Sequence, residues 1–259
     1  MSSLSLPRFG RDGKLGMRLG LASAAVFIVA VPFTALLALV DTHWEPLRRL
    51  DDDATASLHS YVLQHPGLVS PLRASSYLFH PWLFRGVILA MAGWLAYRGA
   101  RRLALWAAST VVAGGLIGLA VKVLVGRSRP RLLDAIAHAP GGSFPSGHAM
   151  TAALGCAMIV LILLPLLPGA RRWLAWGAAT VITLVAGACR VALGVHYLSD
   201  VVAGWILGAA IVLATTAAFE AWRREEGRPP VSPAAEGIEP EAAAQISATG
   251  DPHDAPEGT

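Results

Sequence analysis

Five stretches of this chain contain no charged side chain: Leu19–Val40, Leu103–Val121, Ala149–Ala170, Trp173–Cys189 and Val201–Phe219. Each approaches the ~20 residues an α-helix needs to cross ~30 Å of hydrocarbon. Backbone in lipid must satisfy its own hydrogen bonds, so runs of this length specify helices rather than open strands. A sixth run, Pro81–Tyr97, is interrupted only by Arg85, close enough to one end for its stem to snorkel to the interface. The 259-residue chain is accordingly only 15% charged, against about 25% for a soluble domain. The fold class expected is all-α, an integral membrane bundle of six transmembrane helices. Arg8, Arg11, Lys14 and Arg18 precede the first run as they would a secretory signal. A signal's apolar core spans only ~7–15 residues, however, and no small-x-small cleavage site follows this one, so the first run is expected to remain as a helix.

The chain divides into a basic leader (1–16), a membrane domain (17–222) and a tail (223–259). The tail holds eight acids, three arginines and no aromatic residue, a composition expected to stay disordered. Arg98, Arg101 and Arg102, then Arg171 and Arg172, then Arg223, Arg224 and Arg228 fall on the same side as the leader. The positive-inside rule makes that side cytoplasmic, which suits a bacterial inner membrane. The connection over 41–80 lies opposite, with five acids against three arginines; it is expected to be a covering loop with a short helix over Ala54–Leu63. The +4 net charge comes from these loops and from the motifs below rather than from a basic soluble face, which argues against a nucleic-acid partner. Cys156 and Cys189 fall inside predicted helices and form no disulfide framework. Nothing in the pattern encodes an oligomeric state.

Six helices with a cytoplasmic N-terminus bring three strings to the outer face. These are Lys122-Val-Leu-Val-Gly-Arg-Ser-Arg129-Pro130, Pro145-Ser146-Gly147-His148, and Arg190-Val-Ala-Leu-Gly-Val-His196-Tyr-Leu-Ser-Asp200. Between Ala54 and Phe219 the only carboxylates are Asp134 and Asp200, and the only lysine is Lys122. Ionisable groups at membrane helix ends are costly and usually functional. One of these cations alone would read equally well as an interfacial anchor; their convergence with two histidines reads as a site.

Phosphoryl transfer spreads negative charge over three equatorial oxygens, so it is catalysed mostly by positioning and electrostatics. Lys122, Arg129 and Arg190 can surround those oxygens, the arginines as bidentate forks. Ser146 and the amides around Gly147 begin a helix, where anions are favoured. His196 and Asp200, four apart, would share a helix face, with the carboxylate fixing the histidine tautomer and leaving Nε2 to attack phosphorus. His148 can protonate the leaving oxygen and then activate water. No metal or other cofactor is expected, because Mg²⁺ or Mn²⁺ wants several carboxylate oxygens and three cations would repel a dication. Arg127 and Arg131 flank the site and would suit either a second phosphate or the anchoring of the loop.

The strings closely resemble the signature of the type 2 phosphatidic acid phosphatase (PAP2) superfamily: K-x6-R-P, P-S-G-H and S-R-x5-H-x3-D. The resemblance implies phosphate binding by Lys122, Arg129, Ser146, Gly147 and Arg190. It implies a nucleophile at His196, an orienting carboxylate at Asp200 and acid–base work at His148. Cys189 stands where the family usually has serine. The expected function is metal-independent hydrolysis of a membrane lipid phosphate or pyrophosphate at the outer face through a phosphohistidine. Phosphatidic acid, phosphatidylglycerol phosphate and polyprenyl pyrophosphate are the substrates considered, the last preferred. The alternatives are a lipid phosphotransferase using an alcohol acceptor, a vanadium haloperoxidase, or a non-catalytic lipid-binding or transport protein.

Overall fold

The computed structural model describes residues 29–132, 136–137 and 139–247. The leader, the start of the first apolar run, Asp134 and residues 248–259 lie outside them. The helices are α1 (Val29–Asp41), α2 (Glu45–Gln64), α3 (Val69–Leu78), α4 (Pro81–Tyr97), α5 (Arg101–Val125), α6 (Gly147–Leu163), α7 (Arg171–Ala192), α8 (Leu198–Glu225), α9 (Pro233–Glu236) and α10 (Ala243–Ser247). The described residues contain no strand. Five helical stretches are long and apolar enough to cross a membrane: Pro66–Tyr97, Arg101–Val125, Gly147–Leu166, Arg171–Ala192 and Leu198–Glu225. The shorter apolar α1 stands at the position of the sixth.

Helix α6 is the centre of the bundle. Its sequence is apolar on every side, the pattern of a helix buried all round, and 67% of its apolar window is buried, against 17–39% in the other four. It packs on α8, α7 and α4. The outer helices present leucine and valine outward, as at Leu116, Val123, Leu124 and Leu174, which is stable only against hydrocarbon.

Helix boundaries follow local chemistry. Pro81 begins α4, where a missing N–H costs nothing. Gly126 ends α5 in the left-handed region (φ 57°), its amide bonded back to the Lys122 carbonyl. Ser146 caps α6, and at the start of α8 the Asp200 carboxylate accepts the Tyr197 amide at 2.9 Å.

Two expectations are corrected. The 41–80 connection is not a loop with one short helix: α2 runs the full Glu45–Gln64, and α3 follows. The tail is not disordered from 223 onward. Through residue 247 it folds against the arginine-bearing helix ends and inserts Ile238, Ala242 and Ile246 into the main core. Glu239 binds Arg102 at 2.6 Å, and Glu241 pairs with Arg223. Three buried apolar residues and ion pairs to distant arginines supply what the tail's local composition lacks.

Candidate active site

A cavity of about 700 Å³ opens at the end of the bundle where α5 and α7 finish and α6 begins. Six of the eight expected site residues line it: Lys122, Arg129, Gly147, His148, Arg190 and His196. Asp200 and Ser146 lie behind this wall, both fully buried. Lys122 is in the last turn of α5 and His148 in the first turn of α6, while Arg190 closes α7. His196 is not on a helix, as its spacing from Asp200 had implied. Gly194 (φ 71°) turns the chain after α7, and α8 begins beyond His196. The two side chains still meet, with His196 Nδ1 3.5 Å from Asp200 Oδ2. That is long for a hydrogen bond, and among the described residues Nδ1 has no closer partner.

The tautomer of His196 follows from its other nitrogen. Nε2 lies 3.1 Å from Arg129 Nη1, and a guanidinium only donates. Nε2 must therefore offer its lone pair, which leaves the proton on Nδ1, facing Asp200. Burial, countered by Asp200 and reinforced by Arg129 and Arg190, lowers the imidazole from its ordinary value to about 4. His196 is neutral at pH 7, with the bare nitrogen toward the cavity's cations.

The cations are held in place by main-chain oxygens. Arg129 donates to the carbonyls of Pro140 (3.1 Å), Gly141 (3.1 Å), Gly142 (3.2 Å) and Val195 (2.7 Å). Lys122 Nζ donates to Gly142 O at 2.8 Å. Arg190 gives Nη1 to Ser76 Oγ at 2.7 Å, while its buried Nε has no partner among the described residues. An unpaired guanidinium donor beside a cavity is suited to an anion. The His148 Nε2–H donates to the Ser76 carbonyl at 3.2 Å, since a carbonyl can only accept. A Cβ on Gly147 would meet nothing nearer than Pro81 Cγ at 3.9 Å, so packing does not require glycine there, and the bare backbone leaves its amide approachable.

Residues 103–224 match the family model described as PAP2 superfamily. This likeness spans α5 through α8, the helices whose ends carry the three motif strings. Phosphatidylglycerophosphatase B of Bacillus subtilis (strain 168) is 36% identical over 95 residues, covering 36% of this chain and 46% of that protein. The chain thus aligns with under half the length of that curated relative. The crystal structure of the first transmembrane PAP2 type phosphatidylglycerolphosphate phosphatase from Bacillus subtilis superposes with a TM-score of 0.65. That match has 25% identity and covers 77% of this chain and 98% of the other. The all-α multi-pass membrane fold is shared.

Three neighbours of the site went unread in the sequence. Asp51 and Ser76 came from a segment without helix-length apolar periodicity, and Ser199 looked like an ordinary helix-start serine. Arg127 fits the anchoring alternative. Its guanidinium binds Asp200 Oδ1 and Ser199 Oγ, each at 2.7 Å, and Asp51 Oδ2 at 2.8 Å, and it lies over the Tyr197 ring. Its two ion pairs tie α2 to the start of α8. Cys189 does not line the cavity.

Proposed function

We propose that this protein hydrolyses a lipid phosphate monoester at the outer membrane face through a phosphohistidine on His196. The observation that carries the reading is the tautomer: Nε2 is unprotonated and held beside Arg129 in a cavity ringed by Lys122, Arg190 and His148. In the first step Nε2 forms a bond to phosphorus while the bond to the lipid oxygen breaks, and His148 supplies that oxygen's proton. In the second step His148 takes a proton from water, whose oxygen bonds to phosphorus as the P–N bond breaks, releasing inorganic phosphate. With its Nε2–H given to Ser76, His148 would exchange this proton through Nδ1, which takes it up from the ionisable hydroxyl of the entering phosphate monoester before passing it to the leaving oxygen. The amide of Gly147 and the three cations carry the transition-state charge.

Both relatives bear the names of phosphatidylglycerol phosphate phosphatases, which makes that lipid the first choice. The commitment of Arg127 to Asp51 and Asp200 removes one of two supports for a pyrophosphate. An acyl chain can stay in hydrocarbon while its headgroup enters the cavity, so the advantage over soluble esters lies in positioning. Purified protein should therefore hydrolyse phosphatidylglycerol phosphate much faster than glycerol phosphate. Orthovanadate should inhibit and EDTA should not. Phosphate release over a panel of phosphatidylglycerol phosphate, phosphatidic acid, polyprenyl pyrophosphate and glycerol phosphate measures this. Equal catalytic efficiency on glycerol phosphate would remove the lipid assignment. Loss in EDTA restored by Mg²⁺ would remove the metal-free mechanism.

The arginine-rich loops at the opposite end support a bacterial inner membrane with the site facing outward. A cysteine replacing the exposed Tyr61 on α2 should react with an impermeant maleimide in intact cells, and one replacing the exposed Ala234 should react only after lysis. The reverse pattern would invert the topology.

A further inference from the structure

Asp51 is the least expected residue near the site. It comes from α2, in a segment with no part in the motifs, yet it is only 1% exposed. Both of its oxygens are used. Oδ1 accepts the Ser199 amide at 2.8 Å, and Oδ2 accepts the Ser199 hydroxyl at 2.5 Å and Arg127 Nη2 at 2.8 Å. Burying a carboxylate is costly unless it is paired and hydrogen-bonded; here every contact converges on the residues that touch Asp200.

We propose that Asp51 is a positioning residue for His196, acting through Arg127 and Ser199 on Asp200; this rests on the reading of His196 as nucleophile. The reason is a charge balance. Alone, Arg127 at 2.7 Å from Asp200 Oδ1 would cancel the charge that His196 needs as it becomes cationic on attack. Asp51 grips the other arm of the same guanidinium, so two carboxylates share one cation and the group keeps one net negative charge facing His196. It also fixes the rotamer. Oδ1 is held by Arg127 and Oδ2 by the Tyr197 amide, which aims Oδ2 at His196 Nδ1. Among the described residues, the other charged or titratable groups acting on the imidazole are Arg129, Arg190 and His148, each from a different segment, and none of them supplies negative charge.

The test compares full-length Asp51→Asn, Ser199→Ala and wild type, purified in detergent. Readouts are steady-state kinetics on short-chain phosphatidylglycerol phosphate and NMR titration of the His196 ring, its signal assigned by loss in His196→Ala. Groups that orient a reacting or ligating histidine from outside are worth about 10–100-fold, so Asp51→Asn should lower kcat by that factor. KM should stay within about twofold, because no phosphate-binding group moves. The His196 titration midpoint should move to lower pH, since Arg127 is left less compensated. Ser199→Ala removes one bridge and should lower kcat by about fivefold, the worth of one hydrogen bond. A folded Asp51→Asn with unchanged kcat and midpoint, or with its loss confined to KM, overturns the proposal. If Asp51→Asn does not fold, Ser199→Ala decides: normal kcat overturns, a kcat loss at unchanged KM supports. Wild type inactive on every lipid phosphate would refute the proposed function, and the titration comparison would still judge Asp51.

Discussion

His196→Ala should lose on the order of 10⁴-fold or more in kcat, because residues that act as one catalytic unit cost about that when a member is removed. The alanine protein should still insert and fold, since the imidazole touches only Arg129 and Asp200 through polar contacts and the bundle core lies elsewhere. His148→Ala should lose nearly as much, through leaving-group protonation and water activation. The double variant should be little worse than His196→Ala alone, because the second histidine has no step left to assist. Radiolabelled phosphate trapped by rapid acid-free denaturation should mark wild type at once, His148→Ala only on long incubation, and His196→Ala never. Near-normal turnover by purified His196→Ala would reject the nucleophile.

The same assignment fixes a pH dependence. The competent imidazole is neutral, and burial lowers its protonation to about pH 4 from the ordinary 6.5. As pH falls, His196 should therefore keep its lone pair through 6 and 5, and lose it only near 4. Single-turnover phosphoenzyme formation should hold down to about pH 5 and then drop. A midpoint near 6.5 for this step would mean that Nε2 is not buried beside Arg129.

Much of this was legible in the sequence because membrane helices announce themselves. Pro81–Tyr97 emerges as α4 with the same bounds, three other uncharged runs lengthen into α5, α7 and α8, and Ala149–Ala170 is cut short where α6 ends at Leu163. The convergence of Lys122, Arg129, His148, Arg190 and His196 followed from alternating helix direction alone. What stayed hidden depends on pairs far apart in the chain. Asp51 looked like one of three consecutive aspartates on a loop, and its meaning lies in Ser199, 148 positions away. Arg127 looked like a free cation because its partners sit on two other helices. The order of 223–247 depends on Arg102 and Arg223 meeting Glu239 and Glu241, which no local window contains. His196 was placed on a helix because i, i+4 spacing suits one; a turn at Gly194 achieves the same approach by another route.

One pattern was readable and passed over: Gly204-x3-Gly208 on α8. Small residues at this spacing let membrane helices approach backbone to backbone, and here they face α6. A Cβ at Gly208 would lie 2.5 Å from the Met150 carbonyl oxygen, and one at Gly204 would lie 2.7 Å from the Ser146 carbonyl oxygen. Helix backbone cannot rotate aside as a side chain can, so the two helices would have to separate. That separation acts directly on the site, because the Ser146 amide donates to the Asp200 carbonyl at 2.9 Å and registers the start of α6, with Gly147 and His148, against the start of α8. Overpacking of this kind costs about 1–3 kcal/mol or more, and a misplacement of about 1 Å between reacting groups costs about 100-fold in rate. Gly204→Leu and Gly208→Leu should therefore lower the Tm of the solubilised protein and cut kcat by about two orders of magnitude in whatever fraction remains folded. Gly177→Leu, on the exposed side of α7 with nothing within 4 Å of its Cβ, should keep both near wild type. Thermal unfolding and phosphate release on the three variants read this contrast. A Gly208→Leu protein as stable and active as Gly177→Leu would mean that α6 and α8 do not touch through their backbones.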